Sequence, residues 1–300
     1  MNNIFKINFH QYSKIFLLLS GLIFIISILL ILFKGIQTSI DFRGGTIINV
    51  NINTEEHNLT LLREKLSEQF NQSVGVVEME SSIASQDIIL TMEYLSNEKE
   101  LDLIFNDMYG TSYKINKIES IGPKIGDELR KNARNAIIIA LLLIGLYITI
   151  RFDISYAAGS LFALLHDIII TLGIFIIMNF EISIAIIAAL LTIVGYSLND
   201  TIVIYDRIRE NTLKNPHRER KIVVDESLNQ TLSRTIVTSF TTLMVVIVLY
   251  IYGGEVLQPF AFALIIGVIL GTYSSLFIAS PIMLFLDKKF NIEIEEQEKQ

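Results

Sequence analysis

None of the 300 residues is cysteine. Disulfides, thiolate nucleophiles and zinc sites built from cysteine pairs are therefore excluded. Histidine is almost as scarce, and His10, His57, His166 and His217 lie too far apart to form a metal-ligand spacing. Basic charge is in deficit too: the formal net charge of −7 argues against a nucleic-acid partner, because phosphate binding needs a basic surface that releases counterions. No P-loop and no G-x-G-x-x-G phosphate cradle occurs, so nucleotide hydrolysis is not expected. An intramembrane aspartyl protease would set a Gly-x-Gly-Asp on the helix after a Tyr-Asp; Tyr205-Asp206 is present and the second motif is missing. The expectation is a chain without enzymatic activity, metal or organic cofactor.

Apolar side chains, by contrast, are abundant. Half the chain is hydrophobic (51%) and the mean hydropathy is +0.51, values that point to a membrane protein. Residues 15–33 form a 19-residue run without a charge, long enough to cross a ~30 Å hydrocarbon core at ~1.5 Å per residue. The following Phe33-Lys34-Gly35-Ile36-Gln37 offers no small-residue cleavage site, so an uncleaved anchor is expected. Further spans are expected at 135–151, 154–180, 182–205, 235–252 and 259–286, making six. The second has only 15 uncharged residues and must borrow its flanks or thin the bilayer. His166-Asp167 interrupts the third.

Orientation follows from lysine and arginine in short loops. The loop 206–234 carries Arg207, Arg209, Lys214, Arg218, Arg220, Lys221 and Arg234, whereas the turns at Glu181 and at Gly253-Gly254-Glu255 carry no base. That loop is expected in the cytoplasm, with the N-terminus 1–14 and the tail 287–300 on the same side. Arg130, Lys131 and Arg134 disagree, but they end a large translocated segment, where the rule is weak. Residues 34–134 are then an outer domain. Their pattern predicts strands at 40–53, 73–80, 87–94 and 113–118 and helices at 59–70 and 101–108, the β-α-β-β-α-β order of a ferredoxin-like α+β domain. The acidic stretch 293–300 reads as a solvated end.

The chemistry concentrates in Gly195-Tyr196-Ser197-Leu198-Asn199-Asp200-Thr201. An ionised carboxylate near a bilayer centre costs about 2.5–3.5 kcal/mol on insertion scales, so such residues face the bundle and mark a pathway or a partner. Asp200 lies about 10 Å along a helix from Arg207, below the headgroups and above the midplane. The plain alternative is a wet carboxylate at the interface. His166 and Asp167 reach a similar depth on the third span, and Arg234 stands at the mouth of the fifth. A carboxylate facing an arginine can switch between holding and releasing a proton as the arginine moves; a static ion pair would only lock helices. Gly159, Ala163, Asp167 and Thr171 recur every four residues on the third span, and Ala263, Gly267, Gly271, Ser275 and Ala279 do so on the sixth. Both stripes suit close helix packing, within the chain or against a partner subunit. Asp41-Phe42-Arg43-Gly44-Gly45-Thr46 places paired glycines just past the first span.

Taken together these motifs resemble the SecF family of protein-export membrane subunits. The resemblance rests on Gly195 to Thr201 continuing through Asp206-Arg207-Ile208-Arg209-Glu210-Asn211, on Leu232-Ser233-Arg234-Thr235, Gly253-Gly254-Glu255-Val256-Leu257, Gly271-Thr272-Tyr273-Ser274-Ser275 and Phe277-Ile278-Ala279-Ser280-Pro281, and on Asp41 to Thr46 and Ile121-Gly122-Pro123-Lys124-Ile125-Gly126. It implies a six-helix fold related to the resistance-nodulation-division transporters, with a periplasmic domain between the first two helices, in the bacterial inner membrane. It also implies a SecD-like partner, the SecY-SecE-SecG channel, YajC as a further candidate, and unfolded exported proteins moved with the proton-motive force. The proton-coupling role passes to Asp200, with Asn199 beside it and Arg234 at the start of the fifth helix. His166, Asp167 and Asp206 become supporting candidates, and Asp41, Gly44, Gly45, Gly267 and Gly271 structural ones. A related small-molecule or lipid exporter is the rival reading.

Overall fold

The computed structural model describes residues 7–52, 59–70, 72, 74–79, 86–95 and 99–287; His57 and the acidic stretch 293–300 lie outside them. The chain divides into two compact units, Thr38–Arg134 and the pair of segments Met1–Gln37 and Asn135–Gln300.

In the first unit the helices and strands follow in the order α2 (Ile40–Arg43), β1 (Gly45–Ile52), α3 (Leu59–Phe70), β2 (Gly75–Met79), β3 (Gln86–Met92), α4 (Lys99–Tyr109) and β4 (Tyr113–Ile121), after α1 (Phe9–Phe33) of the other unit. The sheet runs β2-β3-β1-β4 with all three pairings antiparallel. Period-two alternation puts Ile48, Val50 and Ile52 of β1 on one face with Ile88, Leu90 and Met92 of β3. Leu62 and Leu66 of α3, and Leu101 and Phe105 of α4, are spaced i, i+4 and cover that face. β4 carries one extra residue opposite Asn49 and Val50, a bulge at the edge of the sheet.

The strand expected from residue 40 instead begins with a helical turn. Ser39 Oγ accepts the Asp41 N–H at 3.3 Å, which starts α2, and Gly44 at φ 77° ends it. Only glycine enters that region without strain. A Cβ on Gly44 would also lie 2.9 Å from Pro123 Cα, and one on Gly126 3.0 Å from Gly44 N. Arg130 Nη2 donates to Phe42 O at 2.9 Å. Two motifs distant in sequence, 41–46 and 121–126, are thus packed backbone to backbone.

The second unit consists of α1, the membrane part of α5 (Pro123–Arg151), α6 (Ile154–Ile177), α7 (Ile184–Lys214), α8 (Arg220–Tyr252) and α9 (Gly254–Ser274), which continues through a π-helical turn at Ser275–Ala279 to Asp287. Among the described residues, six helices are long and apolar enough to cross a membrane. Three of them reach well beyond the apolar runs that reveal them. α5 starts at Pro123, whose missing N–H suits a first helical position. α7 runs on to Lys214 and α8 begins at Arg220; Glu210 bonds Arg207 at 2.9 Å and Lys214 at 2.6 Å along the α7 extension. Charged turns of this kind continue a helix without raising its hydropathy.

α6, α7 and α9 are the enclosed helices, while α1, α5 and α8 turn most of their apolar side chains outward. Ser13, Ser20 and Ser27 of α1 are buried at seven-residue spacing, and α1 packs on α6 where Ser20 meets His166 and Ser27 meets Gly173. A Cβ on Gly173 of α6 would lie 2.4 Å from Ser27 Oγ, so the two backbones approach closely because both residues are small. The start of α1 is held by α8: Asp225 Oδ1 accepts the His10 N–H at 2.9 Å and Asn229 Oδ1 that of Ile7 at 2.9 Å. Two side chains from another helix thereby satisfy amides that have no partner within α1.

Candidate functional site

Asp200 is buried because of its place on α7. Ser197, Asp200, Thr201, Ile204, Tyr205 and Ile208 follow the i, i+3, i+4, i+7, i+8, i+11 spacing of one helix face, and all six are buried. The carboxylate is 3% exposed. Its neighbours are hydroxyls of α8: Thr238 Oγ1 stands 3.5 Å from Oδ1 and Ser239 Oγ 3.5 Å from Oδ2. Ser239 Oγ in turn meets Thr272 Oγ1 of α9 at 2.6 Å. Hydroxyls both donate and accept, so this shell can serve the carboxylate with or without its proton.

Arg234, exposed on α8 one turn before Thr238, makes no hydrogen bond or ion pair with Asp200 among the described residues, but it stands near enough for its charge to act on the carboxylate. The direct contacts come from Thr238 and Ser239, which lie deeper along the same helix. Asn199 is exposed on the opposite side of α7 from the buried face. Asp206 is exposed as well and pairs with Arg151 at 3.1 Å, away from the buried cluster. Its position follows from the same helical period that turns Tyr205 inward.

His166 and Asp167 are the second buried centre, at 2% and 1% exposure. Asp167 Oδ1 lies 3.0 Å from His166 Nδ1, and Oδ2 accepts hydrogen bonds from Ser197 Oγ of α7 at 2.9 Å and Ser274 Oγ of α9 at 2.7 Å. His166 Nε2 is 2.6 Å from Ser20 Oγ of α1. Four helices therefore meet on two adjacent side chains. A neighbouring hydroxyl pair, Thr201 and Ser275 at 2.8 Å, closes the layer between α7 and α9.

The π turn lies in this layer. Such single-turn irregularities recur at functional positions because they re-aim side chains and free carbonyls. Here Ser274 and Ser275, consecutive in sequence, bond to α6 and α7 respectively, and the Ala279 carbonyl accepts Tyr205 OH at 3.1 Å. The small-residue stripe of the last helix is spent inside the chain: a Cβ on Gly267 would lie 2.2 Å from Ile193 Cγ1, and one on Gly271 2.9 Å from Ser197 Cβ. Asp41, Gly44 and Gly45 belong to the α/β unit and hold its backbone turn.

The hydroxyls escaped the sequence reading. Serine and threonine are nearly neutral in hydropathy and leave no mark on an apolar run. The repeat of Ser13, Ser20 and Ser27 was the available signal.

A family model described as "Protein export membrane protein SecD/SecF, C-terminal" matches residues 102–289. The chain is 38% identical over 285 residues to the protein translocase subunit SecF of Calditerrivibrio nitroreducens, covering 92% of each, and 40% identical over 288 residues to that of Vibrio alginolyticus, covering 93% of this chain and 90% of that one. The crystal structure of SecDF, a translocon-associated membrane protein from Thermus thermophilus, superposes with a TM-score of 0.84 at 34% identity over 96% of this chain, which spans 40% of the solved one. Family model, relatives and fold agree, and the chain belongs to the SecD/SecF family of protein-export membrane proteins, as a SecF-type multi-pass subunit.

Proposed function

We propose that this chain is a proton-driven accessory subunit of the protein-export translocase, in which Asp200 takes up and releases the coupling proton. The observation that carries the reading is a carboxylate 3% exposed, on a helix long and apolar enough to cross a membrane, bonded among the described residues only to hydroxyls. Buried ionisable groups in membrane spans mark ion paths. When ionised, Asp200 accepts from Thr238 and Ser239; when protonated, it donates to one of them. Each protonation state thus sets a different hydroxyl pattern between α7, α8 and α9. Arg234, one turn away on α8, closes on the ionised form when the helices shift. A proton crossing the field supplies about 2.3 kcal/mol per 100 mV, enough to bias such a shift several-fold.

The α/β unit acts on the emerging chain at the periplasmic side of the inner membrane. Its β2-β3-β1-β4 sheet with two helices on one face supports a ferredoxin-like reading, and the basic 206–234 segment supports a cytoplasmic placement of the opposite end. A SecD-like subunit completes the assembly, because the solved relative carries the matching region within a longer SecDF chain. Its docking face is the outward side of α7, where Thr192, Gly195 and Asn199 are exposed and nothing lies within 4 Å of a Cβ built on Gly195. The SecY-SecE-SecG channel is the site of action. Asp200→Asn tests the proton role: export in membrane vesicles should lose its gradient-driven part at an unchanged level of the subunit. Unchanged export would remove the role.

A further inference from the structure

The His166–Asp167 centre is not needed by the Asp200 account, yet it ties together more helices than Asp200 does. We propose that His166 and Asp167 form a second proton-binding site of the bundle, with Ser20 as the hydroxyl that turns over when the site changes charge.

Every group that faces the pair is neutral apart from the pair itself. α1 presents Ser20 and Phe24, whose ring lies parallel to the imidazole at 6.1 Å. α7 presents Ser197, and α9 presents Ser274 and Tyr273, the last with its ring 6.4 Å from the imidazole. Tyr273 is the one other titratable side chain among these contacts. No lysine or arginine bonds to either residue among the described residues.

Without an outside cation, the charge of the site is set by its own proton count. In one state the carboxylate accepts from His166 Nδ1–H, Ser197 and Ser274, and the imidazole is neutral, so Nε2 accepts the Ser20 hydroxyl. Adding a proton at Nε2 gives an imidazolium beside the carboxylate, a neutral pair that an apolar interior tolerates. Nε2–H then donates to Ser20 Oγ, and the Ser20 hydrogen must find another acceptor. The Tyr273 hydroxyl, which faces Ser20 Oγ and donates its own hydrogen to Phe16 O at 2.9 Å, keeps lone pairs that can accept it. Proton uptake therefore redirects one hydrogen bond of α1 onto the hydroxyl that ties α9 to α1.

Serine, imidazole and carboxylate in this order also build hydrolytic triads. Here the neighbouring backbone N–H groups are committed inside α1 and form no oxyanion hole at Ser20, which is 4% exposed.

The test is 15N NMR of the full chain, histidine-labelled, in lipid bilayers between about pH 5 and pH 9, the range where imidazoles titrate, with His166→Gln to assign the signal. The proposal expects His166 to pass from two ring N–H groups to one as pH rises. Ser20→Ala should move the midpoint, and Asp167→Asn should leave a single N–H throughout. Asp200→Asn should leave the His166 titration in place, which separates this site from the proton role assigned above. One protonation state across the range in the unaltered chain, or a titration that Ser20→Ala leaves unmoved, would overturn it; Ser20→Ala decides even where Asp167→Asn fails to fold.

Discussion

Ser197 and Asp200 stand one turn apart on α7 and hold different helices. Ser197 Oγ donates to Asp167 on α6 at 2.9 Å, and Asp200 accepts from Thr238 and Ser239 on α8. α9 touches both sides, through Ser274 and Thr272. A rotation or slide of α7 therefore changes both centres together, and close packing makes such elements switch between discrete arrangements rather than deform gradually.

Packing of α9 on α7 depends on glycine. A methyl at Gly267 would lie 2.2 Å from Ile193 Cγ1, a branched atom with little freedom to move. Gly267→Ala should destabilise the bundle by about 1–3 kcal/mol, read as a lower unfolding temperature of the purified chain. Adding Ile193→Ala should restore part of the loss. No loss in the single variant would contradict the packing described.

The α/β unit offers a paired comparison. Gly44 and Gly110 both have positive φ, at 77° and 58°, but only Gly44 has backbone against its missing Cβ. Gly110→Ala should cost about 1 kcal/mol from conformation alone, and Gly44→Ala clearly more. Equal unfolding shifts for the two would show that the 41–46 and 121–126 motifs do not press together.

Asp206 should matter little. Its pair with Arg151 is half exposed on both sides, and pairs of that kind contribute about 0–1 kcal/mol. Asp206→Ala should leave gradient-driven export intact in the same vesicles in which Asp200→Asn removes it. Equal defects would mean that the whole acidic segment, not burial, sets the role.

The outward face of α7 is open to a bulky residue. Gly195→Leu should preserve the unfolding temperature of the isolated chain, since no atom lies within 4 Å of the new Cβ. It should reduce recovery of a SecD-like subunit on co-purification in mild detergent. Full recovery would move the docking face elsewhere.

The membrane helices were legible because an uncharged run of some twenty residues has few other uses, and the buried Asp200 because a carboxylate in such a run is conspicuous. The alternation in Ile48, Val50 and Ile52 likewise exposed the sheet. The polar ends of α5, α7 and α8 were not legible, since charged turns extend a helix without an apolar signature. Nor was the shell around the two carboxylates. Ser20, Ser197, Thr238, Ser239 and Ser274 come from four helices far apart in sequence, and only the packing of those helices brings them to Asp200 and Asp167. Arg234 was legible as a charge near Asp200; that the direct contacts would be the hydroxyls of Thr238 and Ser239, one turn deeper on α8, was not.

The central claim is that Asp200 passes the coupling proton. Its most direct measurement is proton entry into liposomes that hold this chain together with a SecD-like subunit, followed with an internal pH-sensitive dye under an imposed inside-negative potential. The account predicts entry with the unaltered chain and, with Asp200→Asn, entry no faster than in liposomes without protein. Equal entry with both chains would contradict it.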